Sequence, residues 1–155
     1  MNPTIKQRVI GAGLVLSLPV LMHFEGLRLK TYADPVGIPT ACFGHTGKEV
    51  KAGQTYQPEE CDNLLGADLL SANSAINGCV AVPLADHQRS AFASFVYNVG
   101  GGKFCGSTIV RKLNAGDYAG ACNELPRWIY AQGQKLPGLV RRREAERQLC
   151  LGAAA

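Results

Sequence analysis

The sequence predicts an α+β fold: a small N-terminal lobe built round a short antiparallel sheet, a connecting helix, and a mostly helical C-terminal lobe. Three observations carry this. Residues Leu27 to Gly47 alternate in polarity and are punctuated by Pro35, Gly37 and Pro39, the mark of short strands and tight turns. Pro58 then opens a helical stripe of Cys61, Leu64, Leu65, Leu69, Ala72 and Ile76. Beyond Pro83, helix caps and breakers follow one another closely. With 155 residues and no repeats or low-complexity linkers, the chain reads as a single domain over 1–155, large enough for a real core. Its parts are an apolar N-terminal segment at 9–22, a lobe over about 23–60, the connecting helix over about 61–77 and the helical lobe over about 78–151.

The N-terminal segment, Val9 to Met22, follows Lys6 and Arg8 and has two readings. It resembles the apolar region of an export signal, yet it falls short of the roughly 20 residues needed to span a bilayer. Gly11, Gly13, Ser17 and Pro19 weaken it further, and no small-x-small cleavage site precedes Glu25. One reading is an amphipathic first helix of the fold. The other is a weak, uncleaved inner-membrane anchor that carries the protein out and later lets go. In both, the chain up to Glu25 is an apolar helix, and Gly26 stops it because a residue without a Cβ adopts the left-handed cap freely.

Glu25 thus closes a helix, while Asp34 and Thr40 lie on the folded-back ribbon beside it. In the connecting helix, Pro58 suits the first position and Glu59 and Glu60 complement its positive end. Asp68 falls within the apolar stripe and needs a partner, for which His45 in the Gly-His-Thr-Gly turn is the candidate; that makes His45 a brace. Asn77-Gly78 is expected to end this helix. Asp86 is expected to cap the next, whose apolar face is Phe92, Phe95, Val96 and Val99 and which Gly100 to Gly102 stops. Ser107 caps a short helix through Leu113. Asp117 caps another that Pro126 cuts short. Trp128, Tyr130, a loop over 131–137 and a last helix with Leu139, Val140, Leu149 and Cys150 complete the lobe.

The net charge of +4 gathers at the end, in Arg141 to Arg143 and Arg147, and predicts a basic surface for an anionic partner: nucleic acid, phospholipid or cell wall. No basic–aromatic interleaving or nucleic-acid motif supports the first. Six cysteines, at 42, 61, 79, 105, 122 and 150, include no pair at CxxC spacing, so neither a metal nor a cofactor is expected. Their even, scattered set fits three disulfides in an oxidising compartment against the alternative of buried thiols, and leaves 15 pairings open.

The chemistry rests on Glu25, Asp34 and Thr40. A carboxyl at a helix C-terminus beside Phe24 and Leu27 is disposed to hold its proton, as a general acid must. Asp34, on a Gly/Pro ribbon with solvent and backbone amides, is disposed to stay ionised. Two carboxyls so differentiated flank a cleft in enzymes that split glycosidic bonds, and Thr40 could hold the attacking water. Spacing alone carries little, since most such pairs are solvated surface charges.

The wider stretch carries more. Phe24-Glu-Gly-Leu-Arg-Leu-Lys-Thr-Tyr-Ala-Asp34-Pro-Val-Gly-Ile-Pro-Thr40 followed by Gly44-His-Thr-Gly47 resembles the active-site signature of phage-type lysozymes, the endolysins with a Glu, eight residues, an Asp, five residues and a Thr. Phe95-Val-Tyr-Asn-Val-Gly100, Ser107 to Leu113, Arg127-Trp128 and Gly138 to Arg147 follow in the family's order, so the resemblance covers roughly 14–151. It implies a lysozyme-like fold and a peptidoglycan muramidase that cuts between N-acetylmuramic acid and N-acetylglucosamine for host cell lysis. Glu25 would be the acid, Asp34 the carboxylate that stabilises charge or activates water, and Thr40 the water-positioning hydroxyl. Inversion is implied, with carboxyls about 6.5–9.5 Å apart. Tyr32, Thr46, Tyr97 and Asn98 would line the cleft, although Tyr97 equally suits the core. One of Arg141, Arg142 and Arg143 would pair with Glu25 or its neighbours.

The cysteines and the apolar N-terminus resemble the secreted, membrane-tethered endolysins, and imply export to the host periplasm against the alternative of the host cytoplasm until the membrane is permeabilised. The pairing expected with this fold is Cys42–Cys61, Cys79–Cys105 and Cys122–Cys150, in a monomer. Two other functions stay open: a lytic transglycosylase on the same substrate, against which Asp34 and Thr40 argue, and a non-catalytic basic protein that disrupts wall or membrane.

Overall fold

Helices and strands follow one another as α1 (Pro3–Gly11), α2 (Ser17–Glu25), β1 (Arg28–Ala33), β2 (Pro39–Cys42), α3 (Pro58–Cys79), α4 (Asp86–Val99), α5 (Gly101–Cys105), α6 (Thr108–Asn114), α7 (Tyr118–Cys122), a 3-10 turn (Leu125–Arg127), β3 (Tyr130–Ala131), β4 (Gln134–Lys135) and α8 (Pro137–Cys150). The structure is a computed structural model and describes residues 1–153.

The α+β architecture is the expected one. β1 and β2 pair antiparallel, with Tyr32 opposite Thr40 and Ala33 opposite Pro39. The free edge of β1 is covered by 54–56: the Thr31 N–H donates to the Gln54 carbonyl at 2.9 Å, and the Tyr56 N–H to the Leu29 carbonyl at 2.8 Å. Asp34 shapes the turn of the hairpin, its Oδ1 accepting from the Val36 N–H at 2.9 Å and the Ile38 N–H at 2.8 Å. Helix α3 starts at Pro58, and the Glu60 carboxylate accepts from the Gln57 N–H at 2.6 Å, closing its first turn. Its 22 residues extend about 33 Å, the span of a small domain.

Helix α4 forms the centre of the helical lobe. Seven consecutive residues, Ser90 to Val96, are buried, so this stretch has no solvent face. Helices α2, α3, α5 and α8 wrap it. Phe92, Phe95 and Phe104 pack together, and the Trp128 ring meets Phe95 edge-on at 5.2 Å. The two buried serines are satisfied: Ser90 Oγ donates to the Gly13 carbonyl and Ser94 Oγ to Glu146, both at 2.8 Å.

Three disulfides, Cys42–Cys61, Cys79–Cys105 and Cys122–Cys150, match the expected pairing and close spans of 19, 26 and 28 residues. Loops of that size each contribute about 3 kcal/mol in the chain-entropy account. The Ser107 and Asp117 caps also form, on the Val110 and Gly120 N–H groups.

Several expectations are corrected. The chain up to Glu25 is not one apolar helix. Residues 9–22 divide between the end of α1, a turn, and α2, and no helix among the described residues is long and apolar enough to cross a membrane. The break lies at Gly13, whose φ of +68° favours glycine and whose missing Cβ would sit 2.3 Å from Asp86 Oδ1. Asp86 is therefore a neighbour of this turn and the first residue of α4, not its cap; Ala85 caps, its N–H donating to Gln88 Oε1 at 3.0 Å. Helix α3 continues past Asn77-Gly78 to Cys79, while Gly100 stops α4 and Gly101 at once opens α5. The expected loop over 131–137 holds the β3–β4 hairpin, turned by Gln132 and Gly133 at φ +49° and +77°.

Helix α1 docks on α3 where α3 lacks a side chain. A Cβ on Gly66 would lie 2.4 Å from Ile5 Cγ2, and one turn earlier the Asn2 N–H donates to Asn63 Oδ1 at 2.6 Å. We therefore expect Gly66→Leu to push α1 off α3. Thermal unfolding should register a loss of about 2 kcal/mol, roughly 4–8 °C in Tm.

Candidate active site

Glu25 is the last residue of α2, followed by Gly26 at φ +68°, so its side chain leaves the helix at the junction with the sheet. One carboxyl oxygen is hydrogen-bonded, and the chain passes close to the other. Arg142 Nη1 donates to Oε1 at 2.6 Å. A Cβ on Gly44 would stand 3.3 Å from Oε2, a tight approach, and the φ of +86° at Gly44 itself favours glycine. Arg142 is thus the member of the Arg141–Arg143 run that pairs with Glu25.

Arg142 is itself held from behind. Its Nε donates to Glu146 Oε1 at 3.1 Å and its Nη2 to the Ser94 carbonyl at 3.2 Å. Arg143 donates to the other Glu146 oxygen, to Asn98 Oδ1 and, at 3.1 Å, to the Trp128 carbonyl. Arg142, Arg143 and Glu146 are 4%, 1% and 0% exposed. The expected basic C-terminal surface is corrected accordingly: two of its four arginines are interior, and Arg147 pairs with Glu144. The spacing of Glu146, four and three residues past the two arginines, carried the signal, because such pairs share a helix face.

Asp34 and Thr40 come from the hairpin. Tyr32 and Thr40 are cross-strand partners, so their side chains project on the same side of the ladder, and Asp34 follows two residues after Tyr32. Thr40 is buried and donates its hydroxyl hydrogen to the Ile38 carbonyl at 3.0 Å, leaving its lone pairs to accept. Arg28 stacks on Tyr32, 4.4 Å from the ring centre, a pairing the sequence analysis did not anticipate.

After Thr40 the chain turns through 41–45 beside Glu25. His45 braces this turn as expected, with one addition. Its Nδ1 binds Asp68 Oδ2 and its Nε2 binds Glu49 Oε1, both at 2.8 Å. The Asp68 hydrogen bond chiefly, with that of Glu49 and against the opposing effect of burial, pushes its pKa up to about 9. The Tyr97 hydroxyl donates to the Phe43 carbonyl at 2.7 Å. Thr46 and Tyr97 line, with Gly44, Asp68 and Ser71, a cavity of about 280 Å³ between the turn, α3 and α4. Asn98 does not line it; its amide oxygen serves Arg143.

A glutamate closing α2 and an aspartate turning the adjacent hairpin, in an α+β fold of this kind, fit the class of enzymes acting on glycosidic bonds, although neither carboxyl lines this cavity. The comparisons make this specific. The Phage lysozyme family model matches residues 22–146. The SAR-endolysin of Bacteriophage PS119 is 44% identical over 161 residues, covering 97% of this chain and 96% of that one. A mutant of P22 lysozyme superposes with a TM-score of 0.80 at 38% identity, over 88% of this chain and 96% of that one. The active form of the P1 phage endolysin Lyz gives 0.82 at 28% identity, over 96% and 92%. The chain belongs to the phage lysozyme family. It is a lysozyme-type hydrolase.

Two outcomes follow. His45 holds its proton more tightly folded than unfolded, so its stabilisation is complete below about 6.5 and disappears as pH rises through about 9. Unfolding free energy should decline across that window, and urea titrations of His45→Gln should show a flatter profile. Glu146→Ala leaves two buried guanidinium groups without their shared carboxylate, and chemical denaturation should show a loss of about 3–5 kcal/mol.

Proposed function

We propose that this endolysin hydrolyses the β-1,4 bond between N-acetylmuramic acid and N-acetylglucosamine in peptidoglycan, with Glu25 as the general acid. The observation that carries this reading is the Glu25 carboxyl at the end of α2, with Arg142 hydrogen-bonded to one oxygen and the Gly44 turn passing close to the other. Once the proton has gone to the leaving oxygen, Arg142 stands ready beside the carboxylate that remains. Asp34 uses Oδ1 to shape its own turn, which leaves Oδ2 for charge or water at the sugar. Thr40 accepts a hydrogen from that water, since its own is committed to Ile38. Tyr32 and Thr46 are the side chains we assign to substrate, with inversion at the anomeric carbon.

Export is part of the same reading. The family includes relatives named SAR-endolysins, and residues 9–22 are apolar. We assign that segment to the inner membrane before release, in a conformation other than the split α1–α2 arrangement, and the protein to the host periplasm. A membrane-inserted segment could not also supply α2, so an anchored chain would lack Glu25 in this setting. Fractionation before lysis tests it: protein found wholly in the cytosol with free thiols would sink the idea.

Purified protein should clear outer-membrane-permeabilised bacteria, and Glu25→Gln should slow clearing by about 10²–10⁴-fold. Mass spectrometry should find hydrated muropeptide ends. Ends lacking one water would make the enzyme a transglycosylase instead.

A further inference from the structure

We propose that Tyr97 is a positioning residue for Glu25, its hydroxyl pinning the 42–45 turn to α4 so that Gly44 stays against the Glu25 carboxyl. This rests on the reading of Glu25 as the acid. Three observations support it.

The turn is closed at its base by reciprocal Ala41–His45 backbone hydrogen bonds of 2.9 and 2.8 Å, so its tip, 42–44, is what needs placing against other elements. Cys42 sits at φ +59°, which a side chain disfavours, and Gly44 at +86°, with Phe43 between them. The Cys42–Cys61 disulfide and the His45–Asp68 bond tie the turn to α3, and His45 also binds Glu49 just after it. Among the described residues, the Phe43 carbonyl receives a hydrogen bond only from Tyr97.

Glu25, by contrast, is held in the frame of α4 and α8. Arg142 reaches it while donating to the Ser94 carbonyl of α4. Tyr97 lies three residues after Ser94, a neighbour on the same helix surface. One face of α4 therefore acts on both sides of the carboxyl: Ser94 holds Arg142 on one oxygen, and Tyr97 holds the turn whose Gly44 passes the other.

The hydroxyl is also a dependable donor. Burial, helped by the nearby Asp68 and Glu25 carboxylates, pushes its ionisation well above the ordinary tyrosine range. Its single hydrogen goes to the protein, which favours positioning over the substrate contact expected from the sequence.

Tyr97→Phe removes one oxygen and keeps the ring. With solubilised, uncrosslinked glycan strands as substrate, kcat should fall at least tenfold with KM within twofold of wild type, and Tm should move only a few degrees. Gly44→Ala pushes on the same carboxyl from the turn, so the double variant should lose less than the product of the two single losses. An unchanged kcat, a rise in KM alone, or fully multiplicative losses would overturn the assignment. Glu25→Gln run alongside separates the two readings: if it turns over normally, the acid has been misassigned, whereas an inactive Glu25→Gln with a fully active Tyr97→Phe defeats the Tyr97 proposal alone.

Discussion

The guanidinium of Arg142 is the point on which the two lobes agree. One planar fork reaches Glu25 at the end of α2, Glu146 on its own helix and the Ser94 carbonyl of α4. Lysine could not do this, because a compact ammonium lacks the fixed divergent donors that let one side chain serve three elements. Everything near the site is built on that fork. Helix α2 must end where Glu25 can reach it, and α4 must be buried deeply enough for a backbone carbonyl to be offered sideways. The hairpin must then return close enough for Gly44 to meet the second oxygen.

Burying such a cluster is expensive. Two guanidinium groups and two carboxylates leave bulk water, and a well-packed apolar replacement of a buried ion pair is often no less stable. The cluster is balanced, with Arg142 and Arg143 against Glu25 and Glu146, and its inner members are fully hydrogen-bonded. Balance limits the cost without making the arrangement favourable in itself. What apolar packing could not supply is a fixed cation beside one particular carboxyl. We read the cluster as stability given up for position, with the disulfides among the features that offset it. Cys42–Cys61 and Cys122–Cys150 lie at the ends of the elements concerned, β2 and α8.

Much of the fold was legible because its signals are local. Pro58, the Ser107 and Asp117 caps, Gly26 and the Pro/Gly punctuation of the hairpin act within a few residues of themselves, and each appears where the sequence put it. His45 and Asp68 were legible for a different reason, since a carboxylate inside an apolar stripe demands a partner. The misreadings come from long-range contact. Helix α8 was recognised by Leu139, Val140, Leu149 and Cys150, yet beside Cys150 it turns Arg142, Arg143 and Glu146 inward, because charges that neutralise one another can occupy an interior. The β3–β4 hairpin was missed because its turn uses glutamine in a left-handed conformation, where asparagine or aspartate would have announced it. At the site, Asn98 was read by its polarity; its amide is committed to Arg143, which no local pattern reveals.

The same distinction explains the N-terminus. Hydropathy makes 9–22 look like one apolar helix, although Gly11, Gly13 and Pro19 already weaken it. Tertiary packing divides it: Asp86 occupies the space a Cβ at Gly13 would need, and Ser90 takes the Gly13 carbonyl that a continuous helix would have used internally. The break is therefore specified twice: Gly13 permits the left-handed turn, and Asp86 and Ser90 of α4 fix it. Because α2 ends at Glu25, whichever contacts hold the Gly13 turn also help to decide whether the carboxyl meets Arg142. Gly13 and Gly44 are alike in this: at each, a Cβ would press on a carboxylate, that of Asp86 in one case and of Glu25 in the other.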